Sequence, residues 1–121
     1  MKTNVIFFDT YAFFEIIRGN PSYEKYKHMT ILTTVFNLVE LNYGLKRQKG
    51  RQIADRYLDL YESHTVPITS GDIKQATELK LRKKVMSFAD VIGYVMARKY
   101  GVKFLTGDED FRGMKNVEFV K

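Results

Sequence analysis

The sequence predicts an α/β fold, a three-layer α/β/α arrangement with a mainly parallel central sheet and helices on both faces. The main observation is that short apolar runs of strand type alternate with longer segments whose apolar residues recur at helical spacing. The first run, Val5–Phe8, is apolar throughout, as expected of a strand buried on both faces. The 121 residues contain no repeat and no linker, so we predict a single domain over residues 1–121.

Glycine and proline mark several of the predicted boundaries. Gly19 ends the first helix, Pro21 begins a short second one, and Pro67 restricts its strand to an edge of the sheet. Ser70 or Asp72 is predicted to cap a later helix. The predicted strands are 5–8, 30–34, 64–68, 102–106 and 116–120, and the predicted helices are 10–19, 21–29, 35–48, 51–63, 70–84 and 87–101.

Composition narrows the class of protein. The net charge of +6 and the isoelectric point near 9.5 favour a polyanionic partner such as nucleic acid. The absence of cysteine excludes disulfides and thiolate metal sites, and it is compatible with a cytoplasmic location. No apolar stretch approaches the ~20 residues of a membrane-spanning helix, and the N-terminal segment is interpreted as a strand rather than a signal peptide.

Four acids stand where a site is expected. Asp9 and Asp108 follow predicted strands, and in parallel sheets sites form at the carboxyl ends of the strands. Glu40 lies on a largely apolar helix face, where an unpaired carboxylate is costly. Asp90 is followed by a nearly uncharged helix, so the first turn of that helix is expected at the edge of the core.

Each acid also has a purely structural interpretation. Asp9 can cap the first helix, Asp90 completes a Ser-x-x-Asp capping pattern with Ser87, and Asp108 and Asp110 can be turn residues. The case for a site therefore depends on the acids meeting in space. Four converging carboxylates would repel one another unless some are protonated or a cation neutralises them. Ligation by oxygen alone favours Mg²⁺ or Mn²⁺.

Other catalytic arrangements are poorly supported. His28 and His64 lie in separate segments away from the acids, and no GxxxxGK[ST] loop is present. A receiver domain would need paired acids after its first strand, whereas Asp9 stands alone there. A carboxylate–metal site that activates water for phosphodiester hydrolysis needs none of these parts.

Four blocks of the sequence carry a resemblance: "FFDTYAFFEI", "TTVFNLVELNYGL", "SFADVIGYVMA" and "FLTGDEDF". In this order and spacing the chain resembles a PIN-domain ribonuclease, of the kind found as the VapC toxin of toxin–antitoxin pairs. The resemblance implies that the metal-binding and catalytic acids are Asp9, Glu40, Asp90 and Asp108, with Asp110 as a variable further acid and Thr10 and Thr106 as supporting residues. Gly93 departs from the alanine expected at its position.

The predicted function is cleavage of RNA by a Mg²⁺- or Mn²⁺-dependent endoribonuclease. The resemblance also implies a homodimer and a small antitoxin protein as partners. Two alternatives stay open: a PIN-like module that binds RNA or protein without cleaving, and a housekeeping RNA-processing nuclease. The candidates for binding the RNA backbone are basic residues near the ends of two helices, Lys46, Arg47, Arg82, Lys83 and Lys84.

Overall fold

The computed structural model describes residues 4–121 and has one parallel sheet of four strands in the order β2-β1-β3-β4. The predicted α/β class with a parallel sheet is therefore confirmed. The strands are β1 (Val5–Phe8), β2 (Thr30–Leu32), β3 (Lys103–Thr106) and β4 (Val117–Phe119), and the α-helices are α1 (Thr10–Arg18), α2 (Val35–Lys49), α3 (Arg51–Tyr61), α4 (Ser70–Arg82) and α5 (Phe88–Lys99). Short 3₁₀ helices cover Pro21–His28, Glu62–His64 and Glu109–Phe111.

Successive side chains of β1 enter two different hydrophobic cores. Phe7 packs with residues of α4 and α5, whereas Ile6 and Phe8 pack with residues of α1, α2 and α3. This alternation is what a pleated strand produces when both faces of its sheet are covered, and it explains why Val5–Phe8 is apolar throughout. No helix in the described part of the chain is long and apolar enough to cross a membrane.

The pairing of β1 with β3 positions the candidate site. Phe8 lies opposite Leu105, and the backbone N–H of Asp9 donates to the Leu105 carbonyl oxygen at 3.1 Å. Because the two strands are parallel, Asp9 after β1 and Thr106 at the end of β3 lie at the same edge of the sheet.

The predicted strand 64–68 is wrong. Within this segment only Thr65 forms a β-bridge, and its partner is Thr33. The Thr33 N–H donates to the His64 carbonyl oxygen, and the Val66 N–H donates to the Thr33 carbonyl oxygen. Two features prevent further pairing. The chain after Thr33 turns into α2, because Thr34 is its N-cap, so β2 does not extend beside residues 66–68. In addition, Pro67 has no N–H to donate.

The predicted capping residue of α4 is also wrong. Thr69 caps this helix: its hydroxyl accepts from the Asp72 N–H at 3.3 Å, and the Asp72 carboxylate accepts from the Thr69 N–H at 2.9 Å. Asp72 therefore acts from the third helical position of a capping box, and Ser70 is the first helical residue.

Candidate metal and active site

Asp9 is a buried carboxyl group with one oxygen unsatisfied. Asp9 occupies the N-cap position of α1, as predicted, but its side chain makes no capping hydrogen bond. Thr106 Oγ1 donates to Asp9 Oδ2 at 2.7 Å, while Oδ1 is buried and has no hydrogen-bond partner within residues 4–121. Burial, assisted by the nearby Asp90 and then Glu40, raises the pKa of Asp9 to about 8.

Glu40 is brought to the site by close packing of α1 against α2. The Thr10 hydroxyl at the start of α1 donates to Glu40 Oε1 at 2.9 Å. One turn further along both helices, a β-carbon at Gly44 would lie 2.5 Å from the ring of Phe14. Glycine at position 44 therefore permits the short distance between the helices that lets Thr10 reach Glu40.

Asp90 has a structural role and also faces the other acids. Ser87 and Asp90 form the predicted capping box, in which Asp90 Oδ2 accepts from the Ser87 N–H at 2.9 Å. Burial raises the pKa of Asp90 to about 6, and Glu40 and Asp108 add to this rise against the lowering effect of the Ser87 hydrogen bond. The capping interpretation is correct but does not account for the whole environment of this carboxyl group.

The three successive acids 108–110 have three different environments. The N–H of Asp108 donates to Thr106 Oγ1 at 3.1 Å, and the Asp108 carboxylate accepts from the Asp110 N–H at 3.0 Å. Glu109 is exposed and pairs with Arg112 and Lys121, whose hydrogen bonds lower the pKa of Glu109 to about 2. The Asp110 side chain is exposed. Asp108 is thus the one tied to Asp9, through the shared hydroxyl of Thr106.

The four predicted acids influence one another without forming a compact cluster. The pKa of Asp9 responds to Asp90 and Glu40, and that of Asp90 to Glu40 and Asp108. No ion pair formed within residues 4–121 involves any of the four. In the same part of the chain, no three acidic or histidine side chains lie close enough to hold one metal ion together.

These residues fit a hard divalent cation bound partly through water. Mg²⁺ commonly keeps several waters and uses only one or two carboxylates of the protein, so it does not require three converging side chains. The unpartnered Asp9 Oδ1 is the observation that tests the fit, since a buried carboxylate oxygen without a donor is costly unless the group is protonated or a cation binds it.

The basic residues predicted to bind RNA are all exposed, in two groups. In the first group, Lys46 pairs with Asp55 at 3.3 Å and the Arg47 guanidinium lies 5.7 Å from the centre of the Tyr43 ring. The second group lies at the C-terminal end of α4 and before α5, and it takes part in no ion pair within the described residues: Arg82, Lys83 and Lys84.

The two histidines have ordinary environments. His28 is exposed, and Nδ1 of the half-buried His64 lies 3.0 Å from the Ile31 carbonyl oxygen.

Sequence reasoning missed two polar residues beneath Glu40. Thr34 and Asn37 are fully buried and hydrogen-bonded to each other, and Asn37 also contacts Thr10. A Thr-x-x-Asn pattern at the start of a helix with an otherwise apolar inner face was the available signal.

Comparison with protein families matches residues 6–117 to the PIN domain. The chain belongs to the PIN domain family. The family resemblance predicted from four sequence blocks is therefore confirmed.

Two solved structures have a similar fold to this PIN domain. A chain of a toxin–antitoxin complex from Klebsiella pneumoniae superposes with a TM-score of 0.71 and 18% identity, covering 93% of this chain and 94% of that one. A chain of VapBC2 from Rickettsia felis, bound to a DNA fragment from its promoter, superposes with a TM-score of 0.67 and 19% identity, covering 96% of this chain and 97% of that one. Comparison with curated proteins gives no significant match.

Proposed function

We propose that this PIN domain protein is a metal-dependent endoribonuclease and the toxin component of a toxin–antitoxin pair. The observation that carries the proposal is the buried Asp9 carboxyl group. One of its oxygens has no hydrogen-bond donor, and its pKa is raised to about 8 beside Asp90 and Glu40. Such a group is poorly suited to a structural role but well suited to ligate a cation.

Asp9, Glu40, Asp90 and Asp108 would hold Mg²⁺ or Mn²⁺ directly or through water. When bound, such an ion acidifies a water molecule and neutralises charge on a phosphodiester. The chain contributes the orientation of the ligands. Thr106 fixes one oxygen of Asp9, leaving the other free, and Ser87 fixes one oxygen of Asp90.

Positive charge close in sequence to the acids supports a nucleic acid substrate. An acidic pocket alone repels RNA, so basic groups must bind the phosphates on either side of the cleaved bond. Arg82, Lys83 and Lys84 lie a few residues before Asp90, and Arg47 lies two helical turns after Glu40. The net charge of +6 agrees with a polyanionic substrate.

A protein partner is proposed on separate grounds. The similar solved chains belong to a toxin–antitoxin complex and to VapBC2. In addition, α2 exposes an apolar face around Glu40 formed by Val35, Phe36, Val39 and Tyr43, of which Val39 is 63% exposed. Exposed apolar patches commonly mark protein interfaces. This face supports an antitoxin that covers the acidic site, and a homodimer stays a prediction of the family resemblance.

Cleavage of a single-stranded RNA by the purified protein tests the proposed chemistry. We expect cleavage with Mg²⁺ or Mn²⁺, none with EDTA, and none by Asp9→Asn. Asp59→Asn serves as the control, because Asp59 is an exposed acid of α3 with no ion pair within the described residues. Full cleavage in EDTA or by Asp9→Asn would contradict a metal-dependent site, and RNA binding without cleavage would favour the non-catalytic alternative.

Growth measurements separate a toxin from a housekeeping nuclease. Induced expression of the wild-type protein is expected to arrest bacterial growth, and expression of Asp9→Asn is not. Unimpaired growth with active enzyme present would favour the housekeeping role.

A further inference from the structure

We infer that Asn37 is a positioning residue that holds the Glu40 carboxylate in place through the hydroxyl of Thr10. The inference rests on the proposed function, because it assigns Asn37 a role in preparing Glu40 for a metal ion. It depends on a continuous chain of hydrogen bonds from the start of α2 to Glu40, formed by Thr34, Asn37 and Thr10.

The first step fixes the orientation of the Asn37 amide. Thr34 Oγ1 accepts from the backbone N–H of Asn37 at 3.3 Å as the N-cap of α2. The Thr34 hydroxyl hydrogen is therefore free to donate to Asn37 Oδ1, which lies 2.6 Å away. With Oδ1 directed to Thr34, the amide nitrogen Nδ2 must face the opposite side, towards Thr10.

The second step fixes the direction of the Thr10 hydroxyl. Asn37 Nδ2 donates to Thr10 Oγ1 at 3.2 Å and so occupies one of its lone pairs. The single hydroxyl hydrogen of Thr10 has two possible acceptors, Glu40 Oε1 at 2.9 Å and the Asn37 carbonyl oxygen at 3.5 Å. The bond to Glu40 Oε1 is the shorter and therefore the stronger one, so the hydrogen points at Glu40.

The third step concerns the space around Asn37. A β-carbon at Gly93 of α5 would lie 3.2 Å from Asn37 Oδ1 and 3.0 Å from the ring of Phe7. Both distances are tighter than ordinary contacts, so α5 packs closely against the amide oxygen of Asn37. This packing also gives a physical reason for glycine at position 93, where the family resemblance led us to expect alanine.

These contacts restrict Glu40 before any ligand binds. A half-buried glutamate has several rotamers, and ordering its side chain on metal binding costs conformational entropy. A hydrogen bond from a hydroxyl that is itself fixed reduces this cost. Loss of such an outer partner commonly weakens metal binding about 10- to 100-fold.

Asn37→Leu removes both amide contacts while keeping a side chain of similar size. Asn42→Leu is the matched control, because Asn42 lies on the same helix and its amide donates to Asp55 instead. Mn²⁺ is titrated calorimetrically into each protein without RNA, after circular dichroism has confirmed that the protein is folded. We expect Asn37→Leu to weaken Mn²⁺ binding about 10-fold, and Asn42→Leu to keep the wild-type affinity.

A double-mutant cycle separates positioning from general stabilisation. Thr10→Val alone is expected to weaken Mn²⁺ binding as much as Thr10→Val combined with Asn37→Leu, because Asn37 acts through that hydroxyl. Gly93→Ala, which presses on Asn37 Oδ1 without removing a polar group, is the second variant to use if Asn37→Leu does not fold. Wild-type Mn²⁺ affinity in folded Asn37→Leu, or in Gly93→Ala if that variant replaces it, would overturn the inference even if the melting temperature fell.

Crystal structures of the wild type and of the tested variant keep this test independent of the proposed function. A wild-type protein that binds no Mn²⁺ contradicts the metal site itself. The position of Glu40 then decides the inference: a Glu40–Thr10 hydrogen bond lost in the variant supports it, and an unchanged hydrogen bond overturns it.

Discussion

The first turns of α4 and α5 are built in the same way but have opposite electrostatic surroundings. Both helices begin with a capping box in which a hydroxyl residue pairs with an aspartate three residues later, Thr69 with Asp72 and Ser87 with Asp90. Lys99 Nζ lies 3.1 Å from Asp72 Oδ2, and the pKa of Asp72 is lowered, chiefly by the Thr69 backbone hydrogen bond with help from Lys99. Asp90 forms no such ion pair within residues 4–121, and its pKa is raised to about 6.

The difference shows that a capping box determines the backbone geometry at the start of a helix but not the charge environment of its aspartate. In both helices one carboxylate oxygen is used by the cap. What the rest of the carboxylate meets is decided by other parts of the chain: Lys99 of α5 for Asp72, and Glu40 of α2 with Asp108 after β3 for Asp90. Asp72 is therefore paired with a cation of the protein, whereas Asp90 lies near other acids and has no such partner within residues 4–121.

The largest expected difference between the two aspartates is in catalysis. Asparagine can still accept the capping hydrogen bond at either position, so both substitutions preserve the helix start. Asp90→Asn should lower the rate of RNA cleavage about 100-fold or more because it removes the charge of a proposed metal ligand, and Asp72→Asn should leave the rate unchanged. Single-turnover cleavage of a labelled RNA with Mg²⁺ measures this, and equal losses in the two variants would contradict the assignment of Asp90.

Stabilisation by metal is the next largest effect. A ligand that binds only the folded state at about 100 times its Kd adds about 2.7 kcal/mol to the free energy of unfolding. We expect Mn²⁺ to raise the melting temperature of the wild type and of Asp72→Asn, but not that of Asp90→Asn. A similar rise in all three proteins, measured by calorimetry, would mean that Mn²⁺ binds elsewhere.

The pH dependence of the metal-free protein should show opposite signs for the two environments. Asp9 and Asp90 have folded pKa values of about 8 and about 6, above the unfolded value, so the protonated forms favour folding. Their contribution is complete below about pH 4 and is lost as the pH rises through these values. Asp72, whose pKa is lowered, contributes above about pH 4 and loses that contribution as the solution is acidified further.

Melting temperatures in EDTA test this sign. Between about pH 5 and about pH 8 the melting temperature of the wild type should fall by roughly 10 °C or more. Asp9→Asn should melt higher than the wild type at the upper pH, because its amide faces Glu40 and Asp90 without bringing another negative charge. A lower melting temperature for Asp9→Asn at that pH would show that the Asp9 carboxylate is neutralised by the protein itself.

The smallest effect is expected from the cation that distinguishes the two sites. Lys99 is 43% exposed, so its ion pair with Asp72 is worth only about 0.5 kcal/mol. Lys99→Met should lower the free energy of unfolding in urea by about that amount, with cleavage unaffected. Lys74→Met, at an exposed position of α4 with no ion pair in the described region, is the control. A loss of cleavage in Lys99→Met would contradict the conclusion that Asp72 and its partner Lys99 play no part in cleavage.

The fold was accessible from sequence because it depends on local signals. The apolar strand Val5–Phe8 and the glycine stop at Gly19 are explained by burial and backbone geometry alone. The strand 64–68 could not be judged in this way. Its composition suits a strand, but whether it pairs depends on where β2 ends, and β2 ends because Thr34 starts α2.

The candidate site was only partly accessible, because it depends on contacts between distant segments. The ends of the strands pointed to Asp9 and Asp108, and parallel pairing of β1 with β3 makes them neighbours. The Ser-x-x-Asp pattern at Asp90 predicts a capping residue but says nothing about the other groups around its carboxylate. The capping box of Asp72 has the same form, and its carboxylate is paired with Lys99, which lies 27 residues away in the sequence. Asn37 was overlooked because the hydrogen bond that connects it to Glu40 passes through Thr10 on another helix, and the sequence does not show that contact.

The hydrogen bond between Asp9 and Thr106 joins residues 97 positions apart, and this has a consequence for synthesis on the ribosome. In the growing polypeptide Thr106, at the end of β3, follows Asp9 by 97 residues and Asp108 comes after it, so both leave the exit tunnel well after Asp9. Until then β1 lacks its neighbour β3, and the hydroxyl that orients Asp9 is missing. If the proposed function is correct, we expect a nascent copy, or a copy released before β3, to leave the messenger RNA uncleaved, because its candidate site is incomplete.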